Sequence, residues 1–263
     1  MTHGLSTVDY SIPLPEGKRV YFASDFHLGA PNPAASRERE KRIVKWLDAC
    51  SKDAEHIFLV GDIFDFWFEY KEVVPKGYTR LLGKLAELRD KGIGITVFIG
   101  NHDMWMDGYF EEELEIPVHY EPKTYDIGGK RFYIGHGDGL GPGDHGYKML
   151  KKVFRNPICR WLFSLIHPSW GIGLANYFSR KSRAATGGEL EKFLGEENEW
   201  LAIHSKEVLQ KAHFDYFIYG HRHLPLDLQV GPDSRYINLG DWLNYFTYAV
   251  FDGKKTELIY DGK

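Results

Sequence analysis

The sequence predicts an α/β fold, one domain with a long insertion, on three observations. Five short runs rich in β-branched and aromatic residues each stop at a glycine or a polar residue, the pattern of buried strands ending at a sheet edge. Stretches with apolar residues at helical spacing follow the first two runs. More than eighty residues then separate the fourth run's motif from the fifth's, far more than a loop requires, so they form structure of their own.

With 263 residues, 43% of them hydrophobic, the chain can bury a full core. Its net charge of −4, from 33 basic and 37 acidic residues, argues against bulk nucleic-acid binding. Cys50 and Cys159 are too few for a disulfide framework and form no C-x-x-C pair, which fits a reducing compartment. Met1 to Lys18 lacks the apolar centre of a signal peptide, and no stretch approaches the roughly 20 apolar residues that span a bilayer. A cytosolic protein is expected, one still able to dock on a membrane.

The first run, Arg19 to Ser24, delivers Asp25 and His27, two positions apart and therefore on one face of extended backbone. Ser36 to Ser51, with Ile43, Trp46 and Leu47 among charges, reads as a helix that covers the sheet. The second run, His56 to Val60, ends in Gly61-Asp62-Ile63-Phe64-Asp65, which sets the Asp62 carboxylate where open α/β sheets place ligands. Phe64, Phe66, Trp67, Phe68 and Tyr70 suit either packing under the sheet or the apolar wall of a substrate groove. Leu81, Leu82, Leu85 and Leu88 mark a second covering helix, ended by Gly92. Ile93 to Ile99 then ends in Gly100-Asn101-His102-Asp103. Arg131 to Ile134 ends in Gly135-His136-Gly137-Asp138, and Asp215 to Tyr219 in Gly220-His221-Arg222-His223.

Turn chemistry explains any one of these motifs. Five together, each supplying Asp, Asn or His, point to a shared task, with glycines letting the backbone turn sharply so that the ligands face one point. Asp25, His27, Asp62, Asn101, His136, His221 and His223 make seven candidate ligands, too many for one metal ion and enough for two if a carboxylate bridges. Nitrogen and oxygen donors without thiolates suit Mn²⁺, Fe²⁺ or Zn²⁺.

In this order the five motifs resemble the calcineurin-like metallophosphoesterase superfamily, from about residue 19 to the C-terminus. The resemblance implies a four-layer α/β/β/α sandwich. It also implies Asp25, His27 and His223 on one metal, Asn101, His136 and His221 on the other, and Asp62 bridging. Two ions roughly 3.5 to 4 Å apart would polarise a phosphoryl oxygen and lower the pKa of a water between them, without a covalent enzyme intermediate. His102 falls where the family places a residue that contacts the scissile phosphate or leaving group. Asp62, Asn101 and His102 are therefore the candidate catalytic residues, with Asp65 and Asp103 expected to orient ligands.

The insertion, expected over residues 144–212, is basic and aromatic. Asp144 to Gly188 holds eight Lys and Arg against Asp144 alone, a balance of 8 − 1 = +7, interleaved with Tyr147, Phe154, Trp161, Phe163, Trp170, Tyr177 and Phe178. Such a segment reads as an interfacial element that meets anionic lipid or a charged amphiphile. The plainer reading is a helical hairpin packed on the core with its basic residues in water.

A narrower resemblance rests on Tyr21 to His27, Gly61 to Phe68 and Gly135 to Tyr147, with Asn156-Pro157 and Trp161-Leu162-Phe163 downstream. These are similar to the UDP-2,3-diacylglucosamine pyrophosphohydrolases of the Gram-negative lipid A pathway. That resemblance implies cleavage of UDP-2,3-diacylglucosamine to UMP and 2,3-diacylglucosamine 1-phosphate, typically with Mn²⁺, at the cytoplasmic face of the inner membrane. The insertion would form a lid whose apolar groove takes the acyl chains. Asp144 and Tyr147 match positions near the uridine or sugar, and Arg180, Lys181 and Arg183 are candidates for the diphosphate. The best-known branch carries Gly-Asn-Arg-Asp where this chain has Gly100-Asn101-His102-Asp103, so the basic stretch Ser179 to Arg183 is expected to supply the missing charge. The alternatives are a hydrolase of the same fold acting on another phosphodiester or nucleotide, and a non-catalytic scaffold. A scaffold is free to lose ligands, and this chain keeps all seven.

Overall fold

The structure, a computed structural model, describes residues 8–141, 145–190, 192–193 and 195–262, with the side chains of 145–147, 180 and 182–190 outside that description. The chain opens with the short edge strand β1 (Tyr10–Ile12) and enters the core through β2 (Arg19–Ala23). Asn32 then caps α1 (Pro33–Cys50): its side-chain oxygen accepts from the Ala34 and Ala35 N–H groups at 3.1 and 3.0 Å, and proline occupies the first turn. β3 (Ala54–Val60), α2 (Thr79–Asp90), β4 (Gly94–Phe98), α3 (Tyr109–Leu114) and β5 (Val118–His119) follow. A hairpin joins β6 (Lys123–Ile127) to β7 (Lys130–Ile134). Four helices come next: α4 (His145–Phe154), α5 (Pro157–Ser164), α6 (Pro168–Leu190) and α7 (Trp200–Leu209). The chain closes with β8 (Tyr216–Tyr219), β9 (Pro225–Gly231), β10 (Ser234–Leu239), β11 (Thr247–Phe251) and β12 (Thr256–Tyr260).

These strands form two six-stranded mixed sheets, ordered β12-β11-β2-β3-β4-β5 and β1-β6-β7-β8-β10-β9. β2, β3 and β4 run parallel in the first sheet, and β7, β8 and β10 run parallel in the second. Period-two alternation divides each strand between two cores. Val20, Phe22, Phe58 and Val60 turn inward to meet Phe132, Ile134, Ile218 and Ile237 of the facing sheet. Phe22 stacks on Phe58 at 5.2 Å and on Phe132 at 5.7 Å, bridging the sheets. Each of these enclosed rings contributes about 2 to 3 kcal/mol by leaving water.

The alternate residues Tyr21, Ala23, Ile57 and Leu59 face outward, under Ile43, Trp46 and Leu47 of α1 and Leu81, Leu85 and Leu88 of α2. On the other side Phe217, Tyr219 and Tyr236 lie under Leu201, Ala202 and Val208 of α7. The layers are therefore α/β/β/α, as the family resemblance implies. α7, which the sequence reading places inside the insertion, packs on β9 and β10 as the outer helix of this sandwich. By contrast α5 has no buried residue.

The aromatic cluster after Asp62 packs rather than lining a groove. Phe64 and Trp67 belong to the outer core, while Phe66 and Phe68 are buried against Trp105 and Phe163, the latter from α5.

Candidate metal centre

The candidate ligands sit on loops that leave the C-terminal ends of β2, β3, β4, β7 and β8, drawn from both sheets. Ladder-like bonds carry past the strand ends and lock the loops together. Asp25 N–H donates to Gly61 O at 3.0 Å, His27 N–H to Asp62 O at 2.9 Å, and Gly220 N–H to His136 O at 2.9 Å. From α1, the buried Arg39 guanidinium reaches the His27 carbonyl at 2.6 Å.

Five of the seven candidate ligands hold left-handed backbone: Asp25, His27, Asp62, His221 and His223 have φ of 56°, 44°, 52°, 67° and 54°. Non-glycine residues rarely adopt this region, and each instance costs on the order of 1 kcal/mol or more. Asp25 and His27 are therefore not on one face of extended backbone, as their spacing suggests; left-handed turns bring them together instead. Gly61 and Gly137 hold φ of 84° and 113°, the sharp turn the sequence suggests, while other motif glycines serve a second need. A Cβ on Gly100 would strike Asp62, and one on Gly220 would strike Asp25 and Ser24, so glycine there permits close approach.

Seven side-chain donors converge as two sets that share one oxygen. In the first, His27 Nε2 lies 3.7 Å from Asp25 Oδ1, 3.3 Å from His223 Nε2 and 3.6 Å from Asp62 Oδ2, and His223 Nε2 lies 3.5 Å from Asp25 Oδ1. In the second, His136 Nε2 lies 3.4 Å from the same Asp62 Oδ2 and 3.3 Å from Asn101 Oδ1, which is 2.8 Å from His221 Nδ1. Donors bound at about 2.0 to 2.2 Å around an ion stand roughly 3 to 3.5 Å from one another, so both sets match a coordination shell. Asp25 Oδ1 is buried with no hydrogen-bond partner, an arrangement that a cation would satisfy. The residues fit divalent ions.

Neighbouring groups fix these donors. His136 Nδ1 must donate to the Val60 carbonyl at 2.8 Å, which leaves Nε2 as the ligand atom. Asp103 accepts from the Gly100 and Ile63 N–H groups, each at 2.7 Å, binding the second and third motif loops to each other. Asp65 stands 3.6 Å from His27 Nδ1. The sequence reading missed one such residue, Asp241, a wholly buried carboxylate 3.3 Å from His223 Nδ1. Its signal was present: Asn238-Leu239-Gly240-Asp241 is another strand running into Gly-Asp, at the end of β10.

The electrostatics follow from burial and pairing. Burial pushes the Asp25 and Asp62 carboxyls up, and the facing imidazoles outweigh it, holding both below the ordinary range. Burial likewise opposes charge on His27 and His136, but the adjacent carboxylates win and raise both to about 10. His221, buried beside His136, is pushed down to about 4. Protons on His27 and His136 therefore compete directly with a bound cation.

A sequence profile described as calcineurin-like phosphoesterase matches residues 18–225. The chain belongs to the calcineurin-like phosphoesterase family. A relative from Porphyromonas gingivalis, named UDP-2,3-diacylglucosamine hydrolase, is 41% identical over 249 residues, covering 89% of this phosphoesterase and 94% of its own chain. Relatives of that name from Pseudomonas aeruginosa, at 27% identity over 85% of this chain and 90% of theirs, and from Aeromonas salmonicida, at 25% over 84% and 85%, are more distant.

His102 of this phosphoesterase lies beside the first donor set, its ring edge-on to His27 at a centroid distance of 4.9 Å. Its backbone N–H donates to Asp62 Oδ1 at 2.8 Å, which leaves Oδ2 facing both sets. The ring Nδ1 meets the Asp65 carbonyl at 3.1 Å and the Ser179 hydroxyl of α6 at 3.0 Å. Burial lowers the pKa of this imidazole. Of the substrate candidates, Asp144 and the side chains of Tyr147, Arg180 and Arg183 lie outside the described residues, and Lys181 is exposed on α6. From the stretch expected to supply positive charge, the described contact on His102 is thus the neutral Ser179.

Three of the insertion's basic residues are tied to the sandwich or its loops. Lys151 pairs with Asp138 at 2.6 Å, and Arg155 and Arg160 pair with Glu121 and Asp107 of the sandwich. Lys152 and Lys181 are exposed, and apolar side chains face solvent beside them: Ile158, Trp161, Leu165 and Trp170 are each at least 60% exposed.

Proposed function

We infer that this phosphoesterase hydrolyses UDP-2,3-diacylglucosamine to UMP and 2,3-diacylglucosamine 1-phosphate, using two divalent ions, with Mn²⁺ as the physiological pair. The observation that carries the hydrolase reading is the pair of donor sets meeting at Asp62 Oδ2. The substrate rests on the 41% identity to the Porphyromonas gingivalis hydrolase across nearly the whole of both chains.

Asp25, His27, Asp62 and His223 would hold one ion, and Asp62, Asn101, His136 and His221 the other. When bound, such a pair supplies Lewis acidity and a nucleophile competent near neutral pH. The chain's own residues do the rest. Hydrolysis breaks one P–O bond of the pyrophosphate bridge and adds water across it, so charge builds on the leaving phosphate oxygen. His102 is near enough to the first set to donate a hydrogen bond or a proton there. Asp62 keeps its bridging orientation because the His102 N–H holds its other oxygen. Asn101 presents its carbonyl oxygen, which requires its NH₂ group to point out of the site.

Helices α4 to α6 would act as the lid over the acyl chains, with Lys181 and the neighbouring arginines near the diphosphate and Asp144 and Tyr147 near the uridine or sugar. Among the described residues no helix is long and apolar enough to cross a membrane. The protein would dock peripherally on the cytoplasmic face of the inner membrane through the exposed apolar side chains of the insertion, such as Trp161 and Trp170.

The test is UMP release by the Mn²⁺-loaded protein from UDP-2,3-diacylglucosamine and from the unacylated UDP-sugar, with Asp62→Ala as control. Release from the acylated substrate, lost in Asp62→Ala by at least about 10³-fold, is expected. Equal rates on both would discard the acyl groove, and cleavage of neither by metal-loaded protein would discard the substrate.

A further inference from the structure

Ser179 sits 77 residues from His102 in sequence, on α6 of the insertion, and yet it completes that histidine's hydrogen bonding. Its Oγ is 3.0 Å from His102 Nδ1 and 3.1 Å from the Asp65 carbonyl, which is itself 3.1 Å from Nδ1. The three atoms form a triangle whose proton placement is determined. A carbonyl only accepts, and a hydroxyl has one hydrogen. The Ser179 O–H therefore points to Asp65 O, and the Nδ1–H is shared between the Ser179 oxygen and the same carbonyl. Nε2, on the opposite side of the ring, is left for the reacting groups: it accepts a hydrogen bond in the neutral ring and donates one only when the ring carries a second proton. The preceding residues on α6, Tyr177 and Phe178, are 55% and 57% exposed, so this hydroxyl is a point where the helix engages the catalytic loops.

We propose that Ser179 is a positioning residue that orients the His102 imidazole, making the seating of the insertion a condition for His102 to act. An imidazole on a single tether can turn about its outer torsion; a second acceptor on Nδ1–H fixes it. When α6 lifts, that acceptor leaves with it, and His102 loses its aim at the same moment the site opens. Enclosure of substrate and alignment of His102 are thereby one event. The proposal rests on the hydrolase reading above and adds to it a residue contributed by the insertion.

The experiment compares Ser179→Ala, Ser179→Thr, His102→Ala and the Ser179→Ala/His102→Ala double variant on bis(p-nitrophenyl) phosphate, which has no acyl chain for the insertion to hold. Ser179→Ala should lower kcat about tenfold with KM little changed, because a misaimed imidazole forfeits part of its contribution. Ser179→Thr, which keeps the hydroxyl, should recover most of that loss. In the His102→Ala background, Ser179→Ala should remove nothing further. An equal loss in both backgrounds, or an effect confined to KM, would overturn the proposal and make Ser179 a substrate contact or a prop for the helix. A second readout needs no turnover. In ¹H–¹⁵N spectra of the Zn²⁺-loaded protein the His102 Nδ1–H signal should be sharp and become broadened in Ser179→Ala; an unchanged signal would also overturn it. Failure of the wild-type protein to cleave any ester would count against the hydrolase reading alone, since the spectral arm judges Ser179 independently.

Discussion

Asp241 accepts N–H bonds from Leu243, Asn244 and Tyr245 through Oδ1, at 3.2, 2.8 and 3.0 Å, and turns Oδ2 toward His223 Nδ1 and the Asn244 side-chain amide. A carboxylate at Oδ2 keeps the His223 proton on Nδ1 and so leaves Nε2 bare, facing Asp25 and His27. Asp241→Asn would retain the turn through its carbonyl oxygen but present an NH₂ group to two donors. The His223 proton is then driven to Nε2, the atom a cation needs. Metal affinity of the first donor set should fall about 10- to 100-fold in a competition titration against a fluorescent chelator, with the fold intact by circular dichroism. Unchanged affinity would mean that His223 is oriented by its backbone alone. The candidate metal donors were legible in the sequence because each lies just past an apolar strand. Asp241 carries the same strand-Gly-Asp signal as Asp62 and was open to the same reading, whereas Ser179 was not, because its partner is brought up by a helix whose position no local pattern encodes.

Glu199, immediately before α7, is wholly buried and meets the Arg222 guanidinium through both oxygens at 3.1 to 3.2 Å, while Tyr236 O–H donates to it at 3.1 Å. Arg222 lies between His221 and His223 and also donates to the Lys192 carbonyl at 2.9 Å, so the end of the insertion is tied to the loop that carries two metal donors. Glu199→Gln would leave a buried cation without its counter-charge. A loss of about 3 to 5 kcal/mol is expected, read as a lower urea midpoint. On α5, Phe163 packs on Phe66, Phe68 and Trp105, and Trp161 and Leu165 face water. Trp161→Glu with Leu165→Glu should weaken co-sedimentation with anionic vesicles at least several-fold and leave hydrolysis of a small diester unchanged. Undiminished co-sedimentation would remove that face from the membrane contact. Elements followed the same logic of legibility. β2, β3, β4, β7 and β8 were readable as dense apolar runs, and α1 and α2 by their spacing. The two- and three-residue strands β5 and β1 were not, since they take their hydrogen bonds from β4 and β6 and have no room for a pattern of their own.

Across the whole molecule, histidines outside the centre add to its response to acid. His56, on β3, bonds Thr96 Oγ1 at 2.9 Å, and burial pushes it down to about 3; burial also lowers His119, to about 4. In the unfolded chain both titrate near 6.5, so below that pH the unfolded state binds more protons than the folded one. Their contribution to stability is complete above roughly pH 6.5 and declines as pH falls toward the folded values, by at most about 2 kcal/mol from His56 at pH 5. His56→Gln should therefore lose less stability than the parent between pH 7 and pH 5 in denaturant titrations of chelator-treated protein; equal losses would exclude His56 as a source. The four-layer plan was within reach of the sequence only through the family resemblance, because sheet pairing between distant strands leaves no local trace. That remoteness bears on how the protein is made. Asp25 and His223 belong to one donor set, and the residue that orients His223 lies later still, at position 241. At roughly 5 to 20 residues per second, on the order of ten to forty seconds pass between synthesis of the first and last ligands. A nascent chain cannot assemble either donor set before His221 and His223 are made, so loading of the proposed cations would follow the closing of both sheets.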